Sequence, residues 1–397
     1  MKNIWFKILA VIFFLASFIL ITRRNLPWIY SSIGPDFTEV WISAKDLIAT
    51  KGPYLDPNLY WPNAYPPITE IFFLPLALLS HQKALVIFTY ISFASIIGSV
   101  FLTLKIAMKK VPWYYFLLFL GFSFMSFPVK FSLGMGQVNI IVLFLLLFAV
   151  FLEIKSPKNS LLAGLSLGVA IAIKPIFTFF LLFFTLKKSW KLVFISILTV
   201  TVLVLATLIF WPPQIWISWY QSAILPLNSF TAPYMYVYSN QGVFGFAAWF
   251  VSNFSARIYI HTTAMVILIP LAVYLVLKNK DFDLGLSFFI ITLLLFDTTS
   301  WQHHFVWLMF PFVVLFINIF KSKKVVLLGL LIFSYLLVSW VFKDPNHFPV
   351  ILRPTQFYGN VILWGMNFYF LSIRQIKSTK LDNNSIGNKI FKFLNFS

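Results

Sequence analysis

Two carboxylates three residues apart, Asp36 and Glu39, stand at the head of the stretch Gly34-Pro35-Asp36-Phe37-Thr38-Glu39-Val40-Trp41. The whole chain has only 11 acidic residues, so the pairing is conspicuous. Helical spacing puts both acids on one face. A carboxylate presented in this way can take the proton of an attacking hydroxyl. The same Asp-x-x-Glu pattern is close to a capping box, in which the two side chains satisfy free backbone N–H groups. On the octet alone both readings stand. Apolar residues recur at Phe37, Val40, Trp41, Ala44, Leu47 and Ile48, with Asp36, Glu39, Ser43, Asp46 and Thr50 opposite. This spacing predicts an amphipathic helix lying on a membrane surface.

Other polar residues lie in or beside apolar runs, where they are costly and therefore candidates for function. Gly134-Met135-Gly136-Gln137-Val138-Asn139 opens a later apolar run, and a helix start with free N–H groups suits a phosphate or a sugar hydroxyl; ordinary helix initiation is the plainer reading. Lys174-Pro175 lies where two short apolar runs meet, and its ammonium can hold a phosphate or snorkel to lipid headgroups. Tyr238-Ser239-Asn240-Gln241-Gly242 sets amides beside an aromatic ring, as a sugar site does. Asp297-Thr298-Thr299-Ser300-Trp301-Gln302-His303-His304 brings an acid to two of the chain's 5 histidines. Adjacent histidines point to different sides of a helix and chelate a metal poorly, so one of them is read as a phosphate or sugar contact. Arg353-Pro354 adds a cation that can pair with a phosphodiester. Asp281-Phe282-Asp283 is read as a solvated turn.

The elements that position these residues are transmembrane helices. The 397-residue chain is 60% hydrophobic and 10% charged, with a mean hydropathy of +0.89, far from the balance of a soluble domain. Cysteine is absent, which excludes disulfides and thiolate chemistry. The basic residues sit singly or in pairs between apolar runs, so the net charge of +19 does not point to nucleic acid. Apolar runs long enough to span begin at Ile4–Thr22, with Arg23-Arg24 directly after it, and this first run is read as retained rather than as a signal peptide. Gly52-Pro53-Tyr54 and Trp61-Pro62-Asn63-Ala64-Tyr65-Pro66-Pro67 cannot be helix interior, and Ile68–Leu79 reads as interfacial or re-entrant. The count is about twelve spans. With the N-terminus in the cytoplasm, twenty of the 30 basic residues fall inside, as the positive-inside rule expects. The Asp36 loop (23–82) and the loop at 212–257 then face outward, with both termini cytoplasmic. The Asn- and Lys-rich residues 378–397 read as a loose tail.

The order of these motifs resembles the GT-C membrane glycosyltransferases, and more narrowly glycosyltransferase family 87, the polyprenyl-phosphate-mannose-dependent α-mannosyltransferases. The resemblance rests on Asp36-Phe37 with Trp41 and Ala44, Gly52-Pro53-Tyr54, Tyr65-Pro66-Pro67, Leu74-Pro75-Leu76 and Gly136-Gln137-Val138-Asn139. It continues through Ala163-Gly164-Leu165-Ser166-Leu167 to Lys174-Pro175, Asn240-Gln241 and His303-His304 before Phe310-Pro311. It implies an all-α polytopic bundle whose residues 1–377 form one transferase domain at a plasma membrane. Asp36 would be the base of an inverting transfer, with no metal or other cofactor. The donor would be a polyprenyl-phosphate sugar, most simply mannose, and the acceptor a hydroxyl of a glycan or glycolipid. Glu39, Trp41, Tyr65, Gln137, Asn139, Lys174, Asn240, Gln241, His303, His304 and Arg353 would line the substrates. Two rival classes remain: a lipid-linked glycan flippase or transporter, and an O-antigen-type polymerase or ligase.

Overall fold

The computed structural model describes residues 2–30, 34–49, 65–225, 239–340 and 347–394. Gly52-Pro53-Tyr54, Trp61–Ala64 and Tyr238, singled out above, lie outside them. The described residues are helical, without strands, and carry one isolated bridge between Asn240 and Trp301. Helices α1 (Lys2–Tyr30), α2 (Pro35–Ile48), α3 (Pro67–Ala77) and α4 (His81–Ala107) are followed by α5 (Trp113–Met125), α6 (Phe127–Met135) and α7 (Asn139–Lys155). Then come α8 (Ser160–Ile173), a 3-10 turn at Pro175–Thr178, α9 (Phe179–Leu186), α10 (Trp190–Phe210) and α11 (Gln214–Trp219). The chain closes with α12 (Val243–Phe250), α13 (Phe254–Lys278), α14 (Phe282–Phe296), a 3-10 segment at Gln302–Leu308, α15 (Met309–Ser322), α16 (Val325–Ser339) and α17 (Thr355–Leu394).

Five stretches are long and apolar enough to cross a membrane: Ile4–Pro27, His81–Ala107, Trp190–Ile209, Phe254–Lys278 and Gln302–Ser322. The pair α5 and α6, bent by 64° at Ser126, makes a sixth if taken as one span. The protein is therefore a helical membrane protein, but length and composition do not reach the expected twelve spans. A helix such as α8, with 14 residues, rises only about 21 Å, short of a hydrocarbon core of about 30 Å. Helix α14 shows why hydropathy cannot decide: every residue from Leu284 to Phe296 is buried inside the protein, and a helix apolar all round is a core helix as readily as a span.

Gly164 and Gly168 of α8 press against α10. A Cβ on either would come within 2.5 Å of Ile195 or Thr199, and Ser196 donates to the Gly164 carbonyl at 3.1 Å. The contacts advance together in sequence, so α8 and α10 run parallel. The intervening segment, through α9, must run back between them, which makes α8 and α9 an up-and-down hairpin with Lys174 at its tip.

Helix α2 starts with Pro35 at its first position, where a missing N–H costs nothing. Phe37, Val40, Ala44 and Leu47 are buried as the spacing predicts. The other side departs from expectation: Ser43 and Asp46 are also buried, while Ile48 is half exposed. The helix does not lie open on a surface, because α3 packs along it and Leu47 meets Ile215, with Trp211 and Trp219 around the pair.

Candidate active site

Asp36 does not cap its helix. The N-cap position of α2 is taken by Gly34, and no side chain caps the helix. The Asp36 carboxylate turns instead to another part of the chain, where the Gln137 Nε2 donates to its Oδ2. Gln137 is held there by its backbone. Helix α6 ends at Gly136 in the left-handed region (φ 71), and the Gln137 N–H bonds the Ser132 carbonyl at 2.9 Å. A side chain at Gly136 would bring its Cβ within 2.4 Å of the Phe37 Cβ; only glycine combines this backbone conformation with this closeness to α2.

From Gln137 the polar contacts continue across the bundle. Its Oε1 accepts from the Tyr65 hydroxyl at 2.5 Å and from the Asn139 Nδ2 at 3.4 Å. The Asn139 Oδ1 in turn accepts from the Lys174 Nζ at 2.5 Å. Lys174, at the hairpin tip, also meets the His304 Nε2 at 2.8 Å. An ammonium has only donors, so this nitrogen accepts, and the His304 proton sits on Nδ1, which faces the Asp297 Oδ2 at 3.7 Å. A row of side chains thus leads from one acid to another: Asp36, Gln137, Asn139, Lys174, His304, Asp297. They come from four stretches of chain and gather at one end of the bundle. Burial pushes the Asp36 carboxyl up to about 6, against the hydrogen bond from Gln137 and the charge of Lys174, which both pull it down.

The arrangement can take a proton at one point and stabilise negative charge at another. Asp36 and Lys174 do not touch; two amides hold them apart. Such a spacing would suit a hydroxyl that gives up a proton near the acid and a group that develops negative charge near the cation. The model of glycosyltransferase family 87 matches residues 63–298, more than half of the chain. The chain belongs to glycosyltransferase family 87. No curated protein matches it. This membership makes the protein a membrane glycosyltransferase with sugar donor and acceptor substrates, and takes it out of the flippase class. The matched stretch takes in Tyr65, Gln137, Asn139, Lys174 and Asp297 and leaves Asp36 and His304 outside it.

The other expected residues of the glycosyltransferase lie around the row or apart from it. Asn240 and Gln241 support the site from behind: the Asn240 Nδ2 donates to the Thr298 carbonyl at 2.8 Å, and the Gln241 N–H to the Ser300 carbonyl at 2.7 Å. These bonds fix the turn that carries Asp297. His303 lies beside the row, its ring edge-on to the His304 ring with 4.7 Å between centroids. Its ring packs between Phe131 and Trp301, and its carbonyl accepts from Ser132 at 3.1 Å. Trp41 is packed between α3 and α4, donating to the Leu76 carbonyl at 3.2 Å, with the Lys45 ammonium over its ring at 4.1 Å. Glu39, one turn on from Asp36, is near enough to Tyr65 for its charge to act there. Arg353 lies apart from the row: it bonds the Phe348 carbonyl at 3.0 Å and rests on Trp249.

Sequence reasoning passes over Trp307. Its indole donates to the Asn139 carbonyl at 3.2 Å, and its ring lies flat on His304, 5.1 Å between centroids and 3° between planes. A signal exists in the sequence, since Trp307 is three residues beyond His304 and such neighbours share a helical face. Asp297 stands out within its motif but is not among the expected site residues.

Proposed function

We propose that this glycosyltransferase moves mannose from a polyprenyl-phosphate donor to a hydroxyl of a lipid-linked or cell-envelope glycan, with inversion, and that Asp36 is the base. The acceptor oxygen attacks the anomeric carbon and forms the new C–O bond. The bond from that carbon to the phosphate oxygen breaks on the opposite face. The hydroxyl proton passes to the Asp36 carboxylate, and polyprenyl phosphate leaves. A phosphodiester carries one negative charge and becomes a dianion on leaving. The charge that develops is what a preorganised cation stabilises; in this reading the cation is Lys174, and its contacts with Asn139 and His304 support the assignment. A phosphate leaves readily enough that one carboxylate suffices. The observation that carries the reading is the separation of the Asp36 carboxylate from the Lys174 ammonium by the side chains of Gln137 and Asn139.

The charge pattern supports an outward-facing site with cytoplasmic termini. Lys187, Lys278, Lys324 and Arg374 belong to the other end of the bundle, where Lys187 reaches the Asn279 carbonyl and Arg374 pairs with Asp281. The deciding experiment is transfer from labelled polyprenyl-phosphate mannose by the purified chain and by Asp36→Asn. The parent should transfer mannose, and the folded variant should lose on the order of a hundredfold to ten-thousandfold in kcat. A folded Asp36→Asn with near-parental activity sinks the base assignment. A parent that transfers only another lipid-linked sugar sinks the mannose assignment.

A further inference from the structure

We propose that Tyr65 is a positioning residue for the base, acting on Asp36 through Gln137 rather than by touching substrate. The inference rests on the reading of Asp36 as the base. It starts from the Gln137 side-chain amide, which has a donor end and an acceptor end. Its donor end must face Asp36, because an oxygen turned toward a carboxylate would repel it. Nothing in a glutamine selects that orientation; its surroundings must. Here the Tyr65 hydroxyl donates to Oε1 at 2.5 Å and the Asn139 Nδ2 approaches the same oxygen at 3.4 Å. Two donors on Oε1 leave Nε2 to face Asp36, where it is found.

Tyr65 is well suited to this task. It precedes Pro66-Pro67, and a residue before proline is pushed into extended backbone; Pro66 then caps α3. Its phenol is held well above its ordinary range by burial and by the charges of Asp36 and Glu39, against a bond from the Val138 backbone. The hydroxyl therefore stays protonated and remains a donor at any working pH. Among the described residues, the groups facing Asp36 are Gln137 just before α7, Lys174 from the hairpin tip, Tyr65 ahead of α3 and Glu39 on its own helix. On the far side of Phe37, His81 of α4 is taken up by the Thr38 hydroxyl at 2.7 Å.

Two consequences follow for the reaction. One carboxylate oxygen, Oδ2, is occupied by Gln137, which directs the acceptor hydroxyl to the other. The Gln137 bond also favours the ionised form of Asp36, so its loss raises the pKa of the base. Tyr-Pro-Pro and Gly-Gln-x-Asn, 72 residues apart at Tyr65 and Gln137, become two halves of one device.

The test is a double-mutant cycle on the full-length chain in detergent, with labelled polyprenyl-phosphate mannose, using Tyr65→Phe, Gln137→Ala and the pair, each read as a pH profile. Tyr65→Phe should lower kcat by roughly tenfold, the loss of one hydrogen bond acting on the transition state. It should leave the donor KM within about twofold. The acid limb of kcat/KM should move to higher pH by about half a unit or more. Tyr65→Phe should add nothing in the Gln137→Ala background. A raised KM with an unmoved limb would make Tyr65 a substrate contact and overturn the proposal, as would effects that multiply in the double variant. If Gln137→Ala does not fold, the limb of Tyr65→Phe decides alone. The parallel Asp36→Asn measurement separates the two failures: an active Asp36→Asn removes the base reading itself, whereas an inactive one with an unmoved Tyr65→Phe limb removes only the role of Tyr65.

Discussion

Two lysines stand at opposite ends of one short helical segment, Pro175–Leu186, and their surroundings differ in kind. Lys187 reaches the Asn279 carbonyl at 2.8 Å and the Val276 carbonyl at 3.2 Å, both at the C-terminal end of α13. That is a helix C-terminus satisfied by a cation. Lys174 is held by side chains, the Asn139 amide and the His304 ring, with Asp297 beyond. The contrast extends to the acids. At the Lys187 end Arg374 and Asp281 meet directly, each about a third exposed (37% and 34%). At the Lys174 end the facing charges of Lys174 and Asp36 are kept apart by two amides. Where charges serve stability alone, they touch their opposites or cap helices. Where they are kept apart in a half-buried place, the gap is the feature to be explained, and the proposed pair of an acceptor hydroxyl and a donor phosphate would account for it.

The sharpest way to break this comparison is to remove each charge with little change of shape. Lys174→Met should cost on the order of a hundredfold to a thousandfold in kcat, the scale of losing one preorganised partner for developing charge. Lys187→Met should leave kcat within about twofold and lower stability by about 1 kcal/mol, the scale of one hydrogen-bonded cap. Transfer rates and thermal midpoints of the two variants decide it. Equal losses of activity would mean that the two ends are not functionally distinct. Next in size is the effect of pH. Asp36 works as a base only when ionised, and its carboxyl is raised to about 6. Activity should therefore fall about tenfold per unit below pH 6, and fall again above pH 7 as Lys174, which burial pulls down to about 7, loses its charge. A profile flat down to pH 4.5 would show that no group with this pKa takes the proton.

Much of the site is legible in the amino-acid sequence, because its residues advertise themselves: an acid pair, amides and a lysine at the ends of apolar runs, a histidine pair. Their joining is not legible there. Gln137 meets Asp36 across 101 residues and Lys174 meets His304 across 130, and local periodicity carries no information at that range. Asp36 also has two local explanations, and only the direction of its carboxylate removes the capping one. Ser43 and Asp46 fall on the unexpected side of burial because a helix's polar face stays wet only if nothing packs on it, and α3 and the Trp211 region do. The count of spans is left open for a related reason: α14 is as apolar as a transmembrane helix but is enclosed by its own neighbours. Arg353 is an outer cation by charge counting, yet the structure gives it Trp249 and a carbonyl instead of the row.

The smallest expected effect tests the quiet end. Arg374 pairs with Asp281 and also donates to the Asn318 Oδ1 at 2.5 Å. An ion pair this exposed is screened by solvent and contributes at most about 1 kcal/mol. Arg374→Gln keeps a donor for Asn318 and gives up only the charge. Transfer should stay within about twofold of the parent, and the thermal midpoint should drop slightly at low salt and not at all at high salt, where the pair is already screened. A tenfold loss of transfer with an unchanged midpoint would overturn the division argued above. It would mean that the charges at the Arg374 end act on the site across the bundle through the helices that join them. The comparison would then have to be redrawn as one coupled network rather than as a working end and a fastening end.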